Sequence, residues 1–593
     1  MTGAGTMNLF SIRPHRGAPA LFKRDTPVFP LFFWQTELQE RDAAAFSAAG
    51  IELFSFFRSI PHYEHPYFVA ENRYDFSRFD EEIRRFHRRL PQAYCIPRIY
   101  VSAPEWWLRK HPEELCGFPG NPPRTWYRGN WQGTLRESFA SERWREEMGE
   151  AFRRLIRRLA SADYAGCVAG VHVCSGITGE WHLWSPDLRP DDSMPMARRL
   201  GRAVPPPEKR GPGYYRIQQA ATVEAIVHFC RIVKEESDFL TAVFYGYTPD
   251  MHNQVPWGIE GDHRAAGRLL REKSVDLLCA PHSYERRAIG QDGYFRNYPA
   301  SVALHGKLFI DEGDDRTWLD GCESNGVEYV KADGTPADCE ESLAVLRREF
   351  GNMLTHNIGM WFMDLNGGNF HDSRLMEEIA RLKQWGDRSM TLSRRRTAEV
   401  AVIVSTESEY HLPPRGHAGN RGSAQLYLDQ IGELCRCGVP FDLYLADDLA
   451  SPRLRDYRII VGLELRFLPR HRQRELAALL REETRKFFCF RLPETPDALP
   501  ELPPGTTFLS PTVPAAELRA LFTAAGAHAY LASDDVLSAS ESAVMIHAAS
   551  TGKKLLTLPA RRKITDLVTG EIRTADRLEL SLRRGETRLF LLE

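Results

Sequence analysis

The chain has 593 residues and 67.7 kDa, with 43% apolar and 26% charged side chains, a globular balance that excludes disorder as its main state. Its 77 basic and 79 acidic residues leave a formal charge of -2, too weak a positive field for a nucleic-acid partner. No run approaches the ~20 apolar residues of a membrane helix and the N-terminus lacks a secretory apolar run, so no membrane contact and a cytoplasmic location are expected.

From Pro27 to about Trp385, short β-rich runs alternate with stretches of helical period, the pattern of βα units around a parallel sheet. The runs are Val28–Trp34, Leu53–Phe57, Ala93–Val101, Ala169–Cys174, Ala242–Tyr247, Val275–Ala280, Lys307–Asp311 and Gly359–Leu365. Between them lie helical stretches such as Arg78–Leu90, where Phe79, Ile83, Phe86 and Leu90 recur at helical spacing. Eight such units predict a (β/α)8 TIM barrel over 1–390. The polar, basic stretch Arg388–Ala398 marks a boundary. Beyond it, Glu399–Val404, Gln425–Cys435 (helix), Asp442–Leu445, Tyr457–Val461, His471–Glu483 (helix) and Phe487–Phe490 predict a flavodoxin-like α/β domain over 397–530. Its first strand runs into SerThrGluSerGluTyr, which is acidic and hostile to a phosphate, so no nucleotide is expected there. Short strands split by turns predict a small antiparallel β-sandwich over 531–593. Eleven scattered cysteines, the closest pair being Cys435 and Cys437, imply neither a disulfide framework nor a structural zinc.

Catalytic groups of a barrel sit where strands run into loops on the C-terminal face. Glu180, in the segment after strand four, and Glu312, at the end of the seventh run, therefore stand out. Three βα units separate them, which brings two acids to one mouth. Glycoside hydrolysis needs that pair, one as proton donor and one to attack the anomeric carbon or activate water. The neighbours Trp181 and Trp184 of one acid, and Arg316 and Trp318 of the other, fit a sugar site, because pyranose rings present apolar faces to indole rings. Asp311 precedes Glu312 and points to the other face of its strand, which excludes it as the nucleophile. A metal-dependent hydrolase would carry His-x-His at the end of strand one; Phe32, Phe33 and Trp34 stand there instead, so no metal is expected.

The segments Tyr74–Asp80, Ile96–Glu114, GlyGluTrp around Glu180 and IleAspGluGlyAsp around Glu312 together resemble glycoside hydrolase family 42, the microbial β-galactosidases, within the wider clan of retaining (β/α)8 hydrolases. GluValAlaValIleVal at Glu399–Val404 is similar to the start of that family's trimerisation domain, and the last sixty or so residues to its small β-domain. The resemblance implies a retaining exo-β-glycosidase with no cofactor, acting on an oligosaccharide or glycoside, with Glu180 as general acid and base, Glu312 as ionised nucleophile, and a homotrimeric assembly. It further implies Trp361 as the platform under the sugar and Arg58 and Tyr284 as hydrogen-bond partners of the nucleophile; His282, Asp364 and Asn366, with His182 and His371, are candidate ligands of sugar hydroxyls. One position departs from the family: the asparagine before the acid/base is Gly179 here, with Thr178 before it. The 2-hydroxyl then has another partner or another configuration, which brings in the β-mannosidases of family 164. A non-catalytic sugar-binding barrel is the alternative from another class.

Overall fold

A computed structural model describes residues 9–56, 66–116, 136–176, 178–182, 191–206, 209–249, 263–319, 334–365, 367–411, 419–481, 485–490, 505–510 and 512–593. Eight parallel strands close into a barrel: Leu31–Trp34, Leu53–Ser55, a split third strand (Tyr94–Cys95 and Arg98–Tyr100), Gly170–Cys174, Leu240–Phe244, Leu277–Pro281, Leu308–Gly313 and Gly359–Met363. Strand three is split at Pro97, which has no N–H to give to a ladder. Its first half pairs with strand two and its second half with strand four, and strand eight closes the ring on strand one. Every residue of these strands except Tyr94 and Met363 is buried, as expected of parallel strands covered by helices on one side and by the barrel interior on the other.

The helical layer follows the sequence pattern. The stretch read as Arg78–Leu90 is a helix over Ser77–Arg89 that buries Phe79, Ile83 and Phe86 and keeps its Arg residues outward. Helix Glu142–Ser161 starts at Ser141, whose hydroxyl accepts from the Trp144 N–H, and helix Cys339–His356 starts at Asp338, whose carboxylate accepts from the Glu341 N–H. Helix Cys339–His356 ends on Asn357 in the left-handed conformation. One unit was absent from the sequence reading: a three-stranded antiparallel meander, Phe10–His15, Ala18–Lys23 and Thr26–Val28, precedes the barrel and takes Val28 out of the first barrel strand.

The last barrel helix ends at Ser389 and the next strand begins at Val400. The α/β domain has five parallel strands in the order Phe441–Leu445, Val400–Val404, Ile459–Glu464, Lys486–Phe490, Thr507–Leu509, the doubly wound 2-1-3-4-5 arrangement. The tail expected as a small sandwich is a single five-stranded antiparallel sheet, with an irregular register inside its longest strand, Gly552–Asp566. One face of it covers its own cluster around Leu556, Ile564 and Phe590. The other lies on helix Cys339–His356, so close at Gly351 that an added Cβ would fall 2.3 Å from Met545 Cγ.

The acidic turn after the first α/β strand, Thr406–His411, docks the domain onto the barrel. Glu409 Oε2 lies 2.6 Å from Arg264 Nε, and both side chains are fully buried. Glu407 pairs with Arg216 of helix Pro212–Glu236. The segment that repels a phosphate thus serves as an ion-pair contact to the barrel.

Candidate active site

Side chains alternate along a strand, so the residues that share a register across parallel neighbours share a side of the barrel wall. Glu312 pairs with Trp361, His172 with Arg98, Cys174 with Tyr100, and Met363 with Trp34. Ring contacts place these groups together: the Arg98 guanidinium lies over Trp34 (4.8 Å) and Phe244 (5.0 Å), and Trp361 meets His172 and Phe244 at 5.6 Å each. They form the inner layer of the mouth, with Glu312 only 4% exposed.

Glu180 reaches the same mouth from the segment after strand four. A bridge between Ser175 and Glu180 and the Trp181 N–H donating to Ser175 O (2.8 Å) fold this segment into a tight return. Thr178, Gly179 and Trp181 all take positive φ, the cost of that return. The Tyr247 hydroxyl lies 3.3 Å from Glu180 Oε2, His182 Nε2 lies 3.5 Å from the same oxygen, and His263 Nε2 lies 2.6 Å from the Glu180 carbonyl. The His182 and His263 rings stack in parallel at 4.4 Å.

The two acids are coupled. Burial pushes the Glu312 carboxyl well above the usual carboxylate range, and the charge of Glu180 pushes it further, then that of Asp314; Arg98 and Arg287 oppose them. Burial and the charge of Glu180 thus act against the expected ionised Glu312, while Arg98 and Arg287 act for it. Burial acts against the charge of Arg98, but Cys174, Tyr100 and Glu312 outweigh it and raise its pKa. Burial together with Arg98 keeps His172 neutral.

This has a measurable consequence for stability. A carboxyl whose folded pKa lies above its unfolded value favours the fold fully below the unfolded value, and that contribution is lost as pH rises through the folded value. Glu312→Gln carries no such charge. Its melting temperature should therefore rise relative to the parent between pH 4 and pH 8; an offset that does not change with pH would contradict the coupling.

Several expected sugar ligands are placed elsewhere. His282 lies beyond strand six on the outward side, with Nδ1 3.2 Å from Asp311 and Nε2 3.0 Å from Asp315. Burial would lower its pKa, but Asp315 and Glu349 raise it to about 10, so the ring is an imidazolium whose two donors are both used. His282, Asp311 and Glu349 stand close enough to hold a cation, but the imidazolium fills that role, with Arg348 on Glu349 at 2.7 Å. Trp181 is turned into the shell outside strand four, donating to Val173 O and packing on Phe139. The Tyr284 hydroxyl donates to Asp314 at 2.8 Å, under Arg287 and Arg296, rather than to Glu312. His371 pairs with Asp42. Trp361 is 3% exposed, an inner wall of the barrel beside Glu312. Asp364 accepts from the Gly367 N–H, while burial, then Asp42, raises its pKa to about 7. Arg58, Asn366 and Trp184 lie outside the described residues. Arg98, Tyr247 and His263 were missed. Only Arg98 carried a signal, a charge inside the apolar run of strand three.

No family model and no curated protein matches the sequence. Solved structures do match in fold. A GH42 β-galactosidase from Bacillus circulans sp. alkalophilus aligns with a TM-score of 0.63 at 12% identity, over 95% of this chain and 99% of its own. A catalytic mutant of a GH42 β-galactosidase from G. stearothermophilus aligns at 0.62 and 13% identity, over 95% and 98%. An α-L-fucosidase from Paenibacillus thiaminolyticus aligns at 0.56 and 11% identity, over 95% and 99%. Over 95% of its length, this chain has the fold of the family 42 β-galactosidases.

Proposed function

We propose that the protein is a retaining exo-acting β-glycosidase, with a terminal β-galactoside as its first substrate class. The observation that carries the reading is the pair Glu180 and Glu312, delivered by strands four and seven to one mouth and coupled in charge. The fold shared with β-galactosidases supports the sugar class. In the first step a Glu312 oxygen bonds to the anomeric carbon as the glycosidic C–O bond breaks, and the departing oxygen takes the Glu180 proton. In the second, Glu180 takes a proton from water, whose oxygen attacks the same carbon and releases Glu312. The first step starts with the proton on Glu180, and Arg98 and Arg287 favour the ionised Glu312 that this requires; the second starts from the glycosyl ester of Glu312 with Glu180 as the carboxylate.

A β-mannoside is the second reading, favoured by Gly179: an added Cβ there would fall 2.8 Å from the Tyr100 hydroxyl, so no side chain at this position reaches the sugar. A panel of nitrophenyl β-glycosides (galactoside, mannoside, glucoside, fucoside, arabinoside) tests the proposal. Fastest turnover is expected on the galactoside. Preference for the mannoside would establish the second reading, and no turnover of any member would leave a sugar-binding barrel without chemistry.

A further inference from the structure

The segment that carries Glu180 is held from the side by two residues of strand three, and its shape is fitted to one of them, Tyr100. Tyr100 lies opposite Cys174 in the register of strands three and four. Its hydroxyl donates to the Thr178 carbonyl at 3.1 Å, and Arg98 donates to the same oxygen at 3.0 Å. The next residue, Gly179, has φ +83°. A Cβ on it would lie 2.8 Å from the Tyr100 hydroxyl, 2.9 Å from Cζ and 3.1 Å from Cys174 Cβ. The phenol ring therefore fills the space that a side chain before the acid would take, and it fixes the carbonyl two residues ahead of that acid. Tyr100 is 6% exposed, so few waters compete for that carbonyl. The other attachments of Glu180 differ in kind: Tyr247 and His182 approach its carboxyl, and His263 its own carbonyl.

We infer that Tyr100 is the positioning residue of the general acid: through the Thr178 carbonyl and the glycine it packs on, it sets the direction from which Glu180 delivers its proton. The inference rests on the reading of Glu180 as acid/base. If it holds, loss of the phenol oxygen affects only the step that needs the proton.

The test measures kcat/KM, which reports cleavage of the glycosidic bond, for phenyl and 2,4-dinitrophenyl glycosides of the sugar that the panel selects. Tyr100→Phe should lower kcat/KM about tenfold on the phenyl glycoside, the loss of roughly one hydrogen bond. On the dinitrophenyl glycoside, whose leaving group needs little protonation, the value should stay within about twofold. Gly179→Ala, which pushes a methyl group against the ring, should give the same asymmetry. Glu180→Ala, measured in parallel, separates the two ideas. If it shows the asymmetry while Tyr100→Phe lowers both substrates equally, or neither, the positioning role is overturned and the acid/base reading stands. If Glu180→Ala itself lacks the asymmetry, the acid/base reading falls and the inference falls with it.

Discussion

Glu312→Ala is expected to abolish turnover, by roughly 10⁴-fold or more, because it removes the group that forms the covalent intermediate. Azide should restore part of the activity and yield the α-glycosyl azide, since the anion then enters from the face that Glu312 has vacated. Glu180→Ala should behave differently. Loss of a general acid costs about 10²–10⁴-fold on poor leaving groups and little on activated ones. Azide should rescue its second step to the β-glycosyl azide, because Glu312 still forms the intermediate. Product analysis by NMR distinguishes the two. The same anomer from both variants, or equal losses that azide does not rescue, would contradict the assignment of roles.

Glu409→Ala should be the most destabilising single change between barrel and α/β domain. Its carboxylate and the Arg264 guanidinium are both fully buried and 2.6 Å apart. Removing the carboxylate takes the opposite charge away from a buried guanidinium, at about 3–5 kcal/mol. The effect extends to the site: Arg264 Nη1 also donates to Tyr247 O at 2.9 Å, and the preceding residue is His263, against the Glu180 carbonyl. Replacing both partners, as in Arg264→Met with Glu409→Leu, should recover most of the loss, since apolar pairs of similar volume substitute well for buried ion pairs. Urea denaturation checks this. A cost below about 1 kcal/mol for Glu409→Ala would show that the pair does not hold the domain.

The barrel was legible because buried parallel strands are short continuous apolar runs, and each of the eight runs overlaps a barrel strand. Runs that broke this rule were missed. Strand Thr507–Leu509 has three residues just after a Pro-rich stretch, and the meander strands contain Pro14, Pro19 and Pro27, which demote a run on sequence grounds. At the site, nearness in sequence misled where side-chain alternation would have guided. The period-two argument that turned Asp311 away from the mouth applies equally to His282, which continues the outward side of Leu278 and Ala280. The same argument turns Arg98 inward. Trp181 follows Glu180 directly, but its positive φ sends the indole to the other side of the strand, and a single sequence does not reveal that backbone state. Tyr247 and His263 reach Glu180 through tertiary folding of the region after strand five, at no spacing that marks them in advance.

The central claim is that Glu312 attacks the anomeric carbon. A 2-deoxy-2-fluoro glycoside with a dinitrophenyl leaving group, of the sugar chosen by the panel, slows breakdown of the glycosyl-enzyme and allows it to be digested and sequenced by mass spectrometry. The account predicts one added fluoroglycosyl group on the peptide that contains Glu312, carried by that residue, and no label in Glu312→Ala. A label on Glu180, or turnover with inversion and no labelled peptide, would contradict it.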